Sequence, residues 1–262
     1  MTEILRTEKL TKNFGGLCAV KDVSFGIDEG NIMGLIGPNG AGKTTLINLI
    51  SGTFPPSSGR IVFAGREISR CRAHTVNNMG IARTFQIVRI FSKLTALENI
   101  LAGLVDRRTN GPWKLILEAI FSRSFALIDD EEACREADRL LDFVGISQYR
   151  DEQAGSLPYA LSKRLEIARA MATRPELLLL DEPSSGLNPA ELVDQIELIK
   201  QINQQGITIL IIEHVMKVIM DISHRLIVLH YGEKIAEGDP MKVYTDPQVV
   251  EAYLGDDTDV AH

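Results

Sequence analysis

The sequence predicts an α/β chain: a mostly parallel sheet with an antiparallel β edge and a helical lobe inserted in the middle. Three observations predict it. In the last third, apolar strand-like segments alternate with segments of helical spacing. The stretch from residue 90 to about 156 has helical spacing and few strand formers. The run of residues 177–180 is four leucines without alternation, as expected for a strand covered on both faces.

Taken in order, "LCAVKDVSFGI" alternates as a strand does, "GNIMGLIG" is a buried strand running into glycine, and "GRIVFAGREI" is a strand closed by a turn. "LTALENILAGL" and "EEACREADRLLDFVGI" then read as helices. After them come strand "ELLLLDEP", helix "PAELVDQIELIKQINQQ", strand "ITILIIEH", helix "VMKVIMDIS" and strand "RLIVLHYGEKIAEG". The expected division is one domain over 1–262. Its α/β core and β subdomain occupy 1–88 and 165–262, and a helical subdomain occupies 89–164 with an insertion near 104–130. Within that insertion, "GPWKLILEAIFSRSFALIDD" is apolar with basic Lys114 and Arg123. It could lie on a membrane surface, pack on the helical lobe or touch a membrane subunit. The polar tail "GDDTDVAH" is expected to fray.

Bulk properties narrow the function. At 262 residues and 45% hydrophobic content the chain can bury a sizeable core. The net charge is −7, and no block of Lys and Arg is interleaved with aromatics, which argues against a nucleic-acid partner. Cys18, Cys71 and Cys134 are far apart, with no CxxC, and read as isolated reduced thiols rather than metal ligands. The N-terminal "MTEILRTEKL" has acidic residues and no apolar core, unlike a signal peptide, and no apolar run approaches the ~18 residues needed to cross a bilayer. A soluble, cytosolic chain is expected, with any membrane role exercised through a partner.

The chemistry begins at Gly37-Pro38-Asn39-Gly40-Ala41-Gly42-Lys43-Thr44, a full match to GxxxxGK[ST] between an apolar strand and an apolar helical pattern. The glycines let backbone N–H groups converge on phosphates without Cβ collisions, and the helix N-terminus adds partial positive charge. Lys43 is expected to reach the β- and γ-phosphates and the Thr44 hydroxyl to ligate Mg²⁺. Asp181 and Glu182 close the leucine strand, at the edge of a parallel sheet where ligands sit. An Asp there can hold Mg²⁺ through water, and Glu182 can orient and deprotonate an attacking water. A lone Asp-Glu pair is more often a solvated strand end; it gains meaning from the phosphate loop.

With these residues in place, the chain resembles the nucleotide-binding subunit of an ABC transporter from about Leu10 to Gly255. The fold implied is a P-loop NTPase (ABC ATPase) core with an antiparallel β subdomain and an inserted helical subdomain, and the implied ligands are ATP and Mg²⁺. The resemblance adds Thr45 to the phosphate-binding set. It implies that Gln86, in "ARTFQIVRIF", contacts Mg²⁺ or water and senses the membrane partner, although a Gln after a strand could equally be a surface residue. Phe14, in "LTKNFGG", sits where an aromatic stacks on adenine, although alone it reads as a core Phe. His214, in "ILIIEHVM", matches a histidine that contacts the γ-phosphate, although a strand-end His is more often a satisfied polar group. "SSGLNP" occupies the D-loop position, with Asn188 where many relatives have Asp.

The segments "FGGLCAVKDVSF", "GIARTFQ", "KRLEIARAM", "LIIEHVM" and "AYLG" together resemble the branched-chain amino-acid importer ATPases. That resemblance implies a second, unlike ATPase subunit, integral membrane permease subunits, an indirect link to a substrate-binding protein, and a peripheral place on the cytoplasmic face of the inner membrane. Importers of urea, amides or aromatic acids share much of the pattern. A non-transport ABC protein acting as an ATP-gated binding module is disfavoured by the absence of a basic surface. A nearly inactive regulatory half is disfavoured by intact Glu182 and His214.

One motif departs from the family. Its signature, LSGGQ or LxYGxQ, precedes "RLEIARA"; here Leu157 is in place, but Pro158 stands where Ser is common and Ala160 where Gly is nearly standard. Pro158 suits a first helical position, so the helix is expected to form. The missing hydroxyl and the added methyl group are expected to weaken contact with a phosphate bound by the partner subunit. The loss of one charge-assisted hydrogen bond costs about 1.5–3 kcal/mol. The resulting expectation is an asymmetric heterodimer in which Glu182 and His214 serve the competent ATP site. The phosphate loop is tested most directly by titration calorimetry: the chain takes up ATP, and Lys43→Ala abolishes the uptake.

Overall fold

The computed structural model describes residues 2–108 and 131–256. Most of the insertion expected at 104–130 and most of the tail expected to fray therefore lie outside the described residues. The chain forms two units, Met1–Val76 with Glu176–His262, and Asn77–Pro175.

The first unit contains two sheets. Strands β1 (Glu3–Phe14), β2 (Leu17–Asp28), β4 (Ser58–Phe63) and β5 (Arg66–Glu67) form an antiparallel sheet in the order β2-β1-β4-β5. β1 was not read as a strand from the sequence: its register against β2 shifts at several points and its inside–outside alternation is broken. Ala64 and Gly65, at φ 47° and 74°, turn β4 into β5.

The second sheet runs β10-β9-β3-β8-β7 within this unit. β3 (Ile32–Ile36), β7 (Leu177–Asp181) and β8 (Thr208–Ile212) are buried at every position, the burial expected of parallel strands covered on both faces. β9 (Arg225–His230) pairs parallel to β3, and β10 (Glu233–Gly238) runs back antiparallel to β9. The sequence reading of 225–238 as one strand is corrected here: Tyr231 and Gly232 both adopt left-handed backbone, at φ 46° and 81°, and make a two-residue hairpin. Tyr is an unusual residue for such a turn, which hid the break.

Helices connect the strands. α1 (Lys43–Ile50) follows β3 and buries Leu46, Ile47, Leu49 and Ile50. α2 (Ala73–Asn78) spans the end of the first unit and the start of the second. In the second unit, β6 (Ile81–Arg83) precedes α3 (Ala96–Arg108), α4 (Glu131–Phe143) and α5 (Tyr159–Ala172). α3 starts with a capping box: the Glu98 N–H bonds Thr95 Oγ1 at 3.1 Å and the Thr95 N–H bonds Glu98 Oε2 at 2.7 Å. α3 and α5 approach closely at Gly103, where a Cβ would stand 2.7 Å from the Arg169 carbonyl oxygen. The first unit closes with α6 (Pro189–Gln204), α7 (Met216–Ile222), α8 (Pro240–Tyr244) and α9 (Pro247–Asp256).

Asn188 is the N-cap of α6. Its side chain accepts from the Ala190 and Glu191 N–H groups at 2.9 and 3.0 Å, and its own N–H bonds Glu191 Oε2 at 2.9 Å. Asn and Asp cap about equally well, so this departure from the family pattern costs the helix little. Asn188→Ala is expected to lower stability by about 1 kcal/mol, read as a drop of about 2–4 °C in the midpoint of thermal unfolding, whereas Asn188→Asp leaves it unchanged.

Candidate nucleotide-binding and hydrolysis site

The phosphate loop hangs between β3 and α1 and is braced from behind by other backbone. Gly37 (φ 146°) and Gly42 (φ 99°) have left-handed backbone; a Cβ on Gly37 would lie 2.1 Å from the Leu229 carbonyl oxygen, and one on Gly42 2.5 Å from that of Ala19. No larger residue fits either place. The turn between β9 and β10 holds the loop too: the Gly232 N–H donates to the Ala41 carbonyl at 3.0 Å, and the Lys21 N–H donates to the Gly232 carbonyl at 2.8 Å. Gly42 caps α1 without a side chain, which keeps the first helical amides clear of a competing side-chain acceptor.

Lys43 is buried, and its ammonium donates to the Gly37 and Pro38 carbonyls at 2.6 and 2.8 Å. Burial pushes its pKa down from the ordinary lysine value; the Glu182 and Asp181 carboxylates push it back up. Lys43, Asp181 and Glu182 are thus within electrostatic reach of one another. Asn39, Gly40 and Thr44 are exposed, and Pro38 and Thr45 are half-buried.

Asp181 ends β7, opposite Ile212 of β8, and is buried. Glu182 follows in left-handed backbone, at φ 52°, a conformation that costs a non-glycine residue about 1–3 kcal/mol and tends to mark functional positions. Its N–H donates to the Ile212 carbonyl at 3.0 Å, and its carboxylate Oε1 bonds His214 Nε2. The imidazole is partly exposed and the carboxylate nearly covered.

The structure thus brings Lys43, Asp181, Glu182 and His214 together in the first unit. Phe14 is also in that unit, 46% exposed rather than in the core. Its ring meets Phe54 edge-on at 5.3 Å, and the Lys12 ammonium lies 5.2 and 4.9 Å from the two ring centroids. Gln86 is exposed and belongs to the second unit.

The second unit answers for the degenerate signature. α5 forms as expected, but Pro158 is its N-cap (φ −51°, ψ 150°) rather than its first helical residue; its extended ψ places it outside the helix. Its carbonyl accepts the Ser162 N–H at 2.9 Å. No side chain caps this end, so its amides and dipole remain in place without the family's hydroxyl.

Three residues that sequence reasoning missed also hold these segments, two in the second unit and one in the first. Glu166, 3% exposed on α5, accepts the Arg89 N–H at 2.9 Å. Burial pushes its pKa up, opposed by the Arg89 N–H, the Arg169 guanidinium, the Phe85 N–H and the Lys163 ammonium. Glu166 therefore ties the backbone on both sides of Gln86 to α5. Asn99 grips the same segment at Phe91, accepting its N–H at 2.8 Å and donating to its carbonyl at 3.1 Å. In the first unit, burial pushes the pKa of the Tyr253 phenol on α9 up, opposed by the backbone of Gly37. A charged residue on the apolar face of "RLEIARA" was the available signal for Glu166; Tyr253 had none beyond its place in "AYLG".

A phosphate loop backed by a carboxylate pair and a strand-end histidine defines an ATP-hydrolysing cassette, and comparison with known proteins agrees. The family model described as "ABC transporter" matches residues 20–185, and the chain belongs to that family as an ATPase whose hydrolysis is coupled to transport. A second model, "Branched-chain amino acid ATP-binding cassette transporter", matches residues 233–259.

Among individual relatives, the chain is 40% identical to the high-affinity branched-chain amino acid transport ATP-binding protein BraF of Pseudomonas aeruginosa, over 97% of this chain and 98% of that one. It is 39% identical to LivG, the protein of the same description from Escherichia coli K12, with the same coverage. Its fold matches the crystal structure of the ADP conformation of an ABC-transporter ATP-binding cassette with a TM-score of 0.86 and 34% identity, over 97% of this chain and all of that one. Because a Cβ on Gly42 would lie 2.5 Å from the Ala19 carbonyl oxygen and the backbone there is left-handed, Gly42→Ala is expected to cost about 1–3 kcal/mol of stability and, by displacing the loop, to weaken ATP binding about tenfold or more, measured by urea unfolding and calorimetry.

Proposed function

We propose that this chain is the ATP-hydrolysing subunit of an importer of branched-chain amino acids, peripheral on the cytoplasmic face of the inner membrane. The observation that carries this reading is 40% identity along nearly the whole chain to a branched-chain amino acid transport ATPase. The match to the branched-chain family model at residues 233–259 supports it. Among the described residues no helix is long and apolar enough to cross a membrane, in keeping with a subunit that acts on separate permease subunits. A substrate-binding protein enters only indirectly.

In this reading the amides of residues 37–45 cradle the ATP phosphates, Lys43 offsets the charge of the β- and γ-phosphates, and Phe14 stacks on the adenine. Glu182, oriented by its bond to His214, takes a proton from the water that attacks the γ-phosphate, and His214 reads that phosphate. Mg²⁺ fits the donor set, because the Thr44 hydroxyl and Asp181 carboxylate are hard oxygens of the kind it takes together with substrate phosphates. Those two would hold it, the family resemblance adds Gln86, and the ion supplies charge neutralisation at the transferring group. ATP closes the dimer; hydrolysis and product release open it.

The partner ATPase is an unlike subunit. A homodimer would present the α5 end, lacking both the Ser hydroxyl and the glycine, to both ATP molecules; a heterodimer confines that loss to one. The competent site combines this chain's Glu182 and His214 with the partner's signature helix. The test is the reconstituted transporter, in which leucine, isoleucine or valine delivered by the binding protein raises ATP turnover. Glu182→Gln in this chain keeps ATP binding but lowers turnover by about a hundredfold or more, and the equivalent change in the partner costs much less. Turnover indifferent to all three amino acids overturns the substrate assignment, and equal losses from the two changes overturn the asymmetry.

A further inference from the structure

Glu213 has no part in the mechanism above, yet it is a buried carboxylate, 4% exposed, beside the hydrolytic residues. Its Oε1 accepts the Ser184 N–H at 2.8 Å. The contacts on either side of it follow the same plan. Ile212 accepts the Glu182 N–H through its carbonyl at 3.0 Å, and His214 bonds the Glu182 carboxylate. Three consecutive residues leaving β8 thus each hold the three-residue loop Glu182-Pro183-Ser184.

That loop needs holding. Glu182 has left-handed backbone, at φ 52°, and persists there only if its surroundings over-determine it. Pro183 has no amide hydrogen to contribute. The first backbone N–H after Glu182 is therefore that of Ser184, and Glu213 is its acceptor. A buried carboxylate is a strong acceptor for such a donor, and it reaches across from the segment leaving β8 that also carries His214. Moving the Ser184 amide moves the Glu182 carbonyl as well, because that carbonyl accepts the Ser185 N–H at 3.2 Å.

We infer that Glu213 is a positioning residue for hydrolysis: by anchoring the Ser184 amide to the end of β8, it keeps the Glu182 carboxylate aligned with His214 and with the attacking water. This rests on Glu182 being the general base. Displacement of a catalytic group by about 1 Å can cost on the order of a hundredfold in rate, while the phosphate loop, borne on other elements, keeps its nucleotide.

The experiment compares Glu213→Ala, Glu213→Asp and Glu213→Gln in the full chain. It measures kcat for ATP hydrolysis in the assembled transporter, ATP affinity by calorimetry, and amide hydrogen exchange over residues 182–185. Glu213→Ala is expected to lower kcat about ten- to a hundredfold, with ATP affinity changed less than about threefold and faster exchange at Ser184. Glu213→Asp keeps the charge but withdraws the oxygen by one methylene, and is expected to lose kcat in the same direction. Glu213→Gln keeps an acceptor of the same length and is expected to restore both kcat and exchange protection. The inference is overturned if kcat is unchanged in Glu213→Ala, if kcat and ATP affinity fall together, if Glu213→Gln is as impaired as Glu213→Ala, or if Glu213→Ala and Glu213→Asp both fail to fold. Glu182→Gln separates the two readings: if it still hydrolyses ATP at the normal rate, the general-base assignment fails; if it does not and Glu213→Ala does, only the positioning role fails.

Discussion

The parallel pairing of β7 with β8, which sets Asp181 opposite Ile212, is the constraint on which the rest of the site depends. Both strands are buried at every position, so their register is fixed by packing on two faces as well as by the ladder. From that register the two exits follow. One strand releases Asp181 and Glu182, the other Glu213 and His214, and the Glu182 N–H bond to Ile212 continues the pairing one residue past the end of β7. A one-residue slip would separate the carboxylate from the imidazole without removing either from the sequence.

The phosphate loop depends on a different kind of closeness. Its glycines are places where backbone meets backbone: Gly37 against Leu229, Gly42 against Ala19. The protein's own backbone therefore shapes the loop, which lowers the entropic cost of ordering it around a ligand. Lys43 is held to the same shape by two loop carbonyls, with burial and two carboxylates acting on it in opposite senses. In the proposed site a triphosphate meets a cation already partly desolvated, where charge counts for more than in water.

The second unit shows how a motif can lose its side-chain chemistry and keep its architecture. The end of α5 lacks a side-chain cap, yet the helix is anchored in the middle by Glu166, which holds the Arg89 amide, and against α3 by the close approach at Gly103. Neither anchor uses the positions at which the signature departs from the family. This explains why the helix forms with Pro158 and Ala160 at its tip.

The sequence by itself determined the phosphate loop, the leucine strand, the carboxylate pair and the alternation of strand and helix, because each is written in neighbouring residues: a glycine pattern, an unbroken apolar run, a period of two or of 3.6. It did not show the hairpin at Tyr231-Gly232, since left-handed backbone at a tyrosine is imposed by the strands it joins. Nor did it show the exposure of Phe14, the bond between Glu182 and His214, or the burial of Glu166 and Glu213. Glu182 and His214 are 32 positions apart, and a carboxylate in a sequence looks the same whether water or a backbone amide will solvate it. Only the tertiary structure decided that, because distant segments exclude the water and supply the replacement donors.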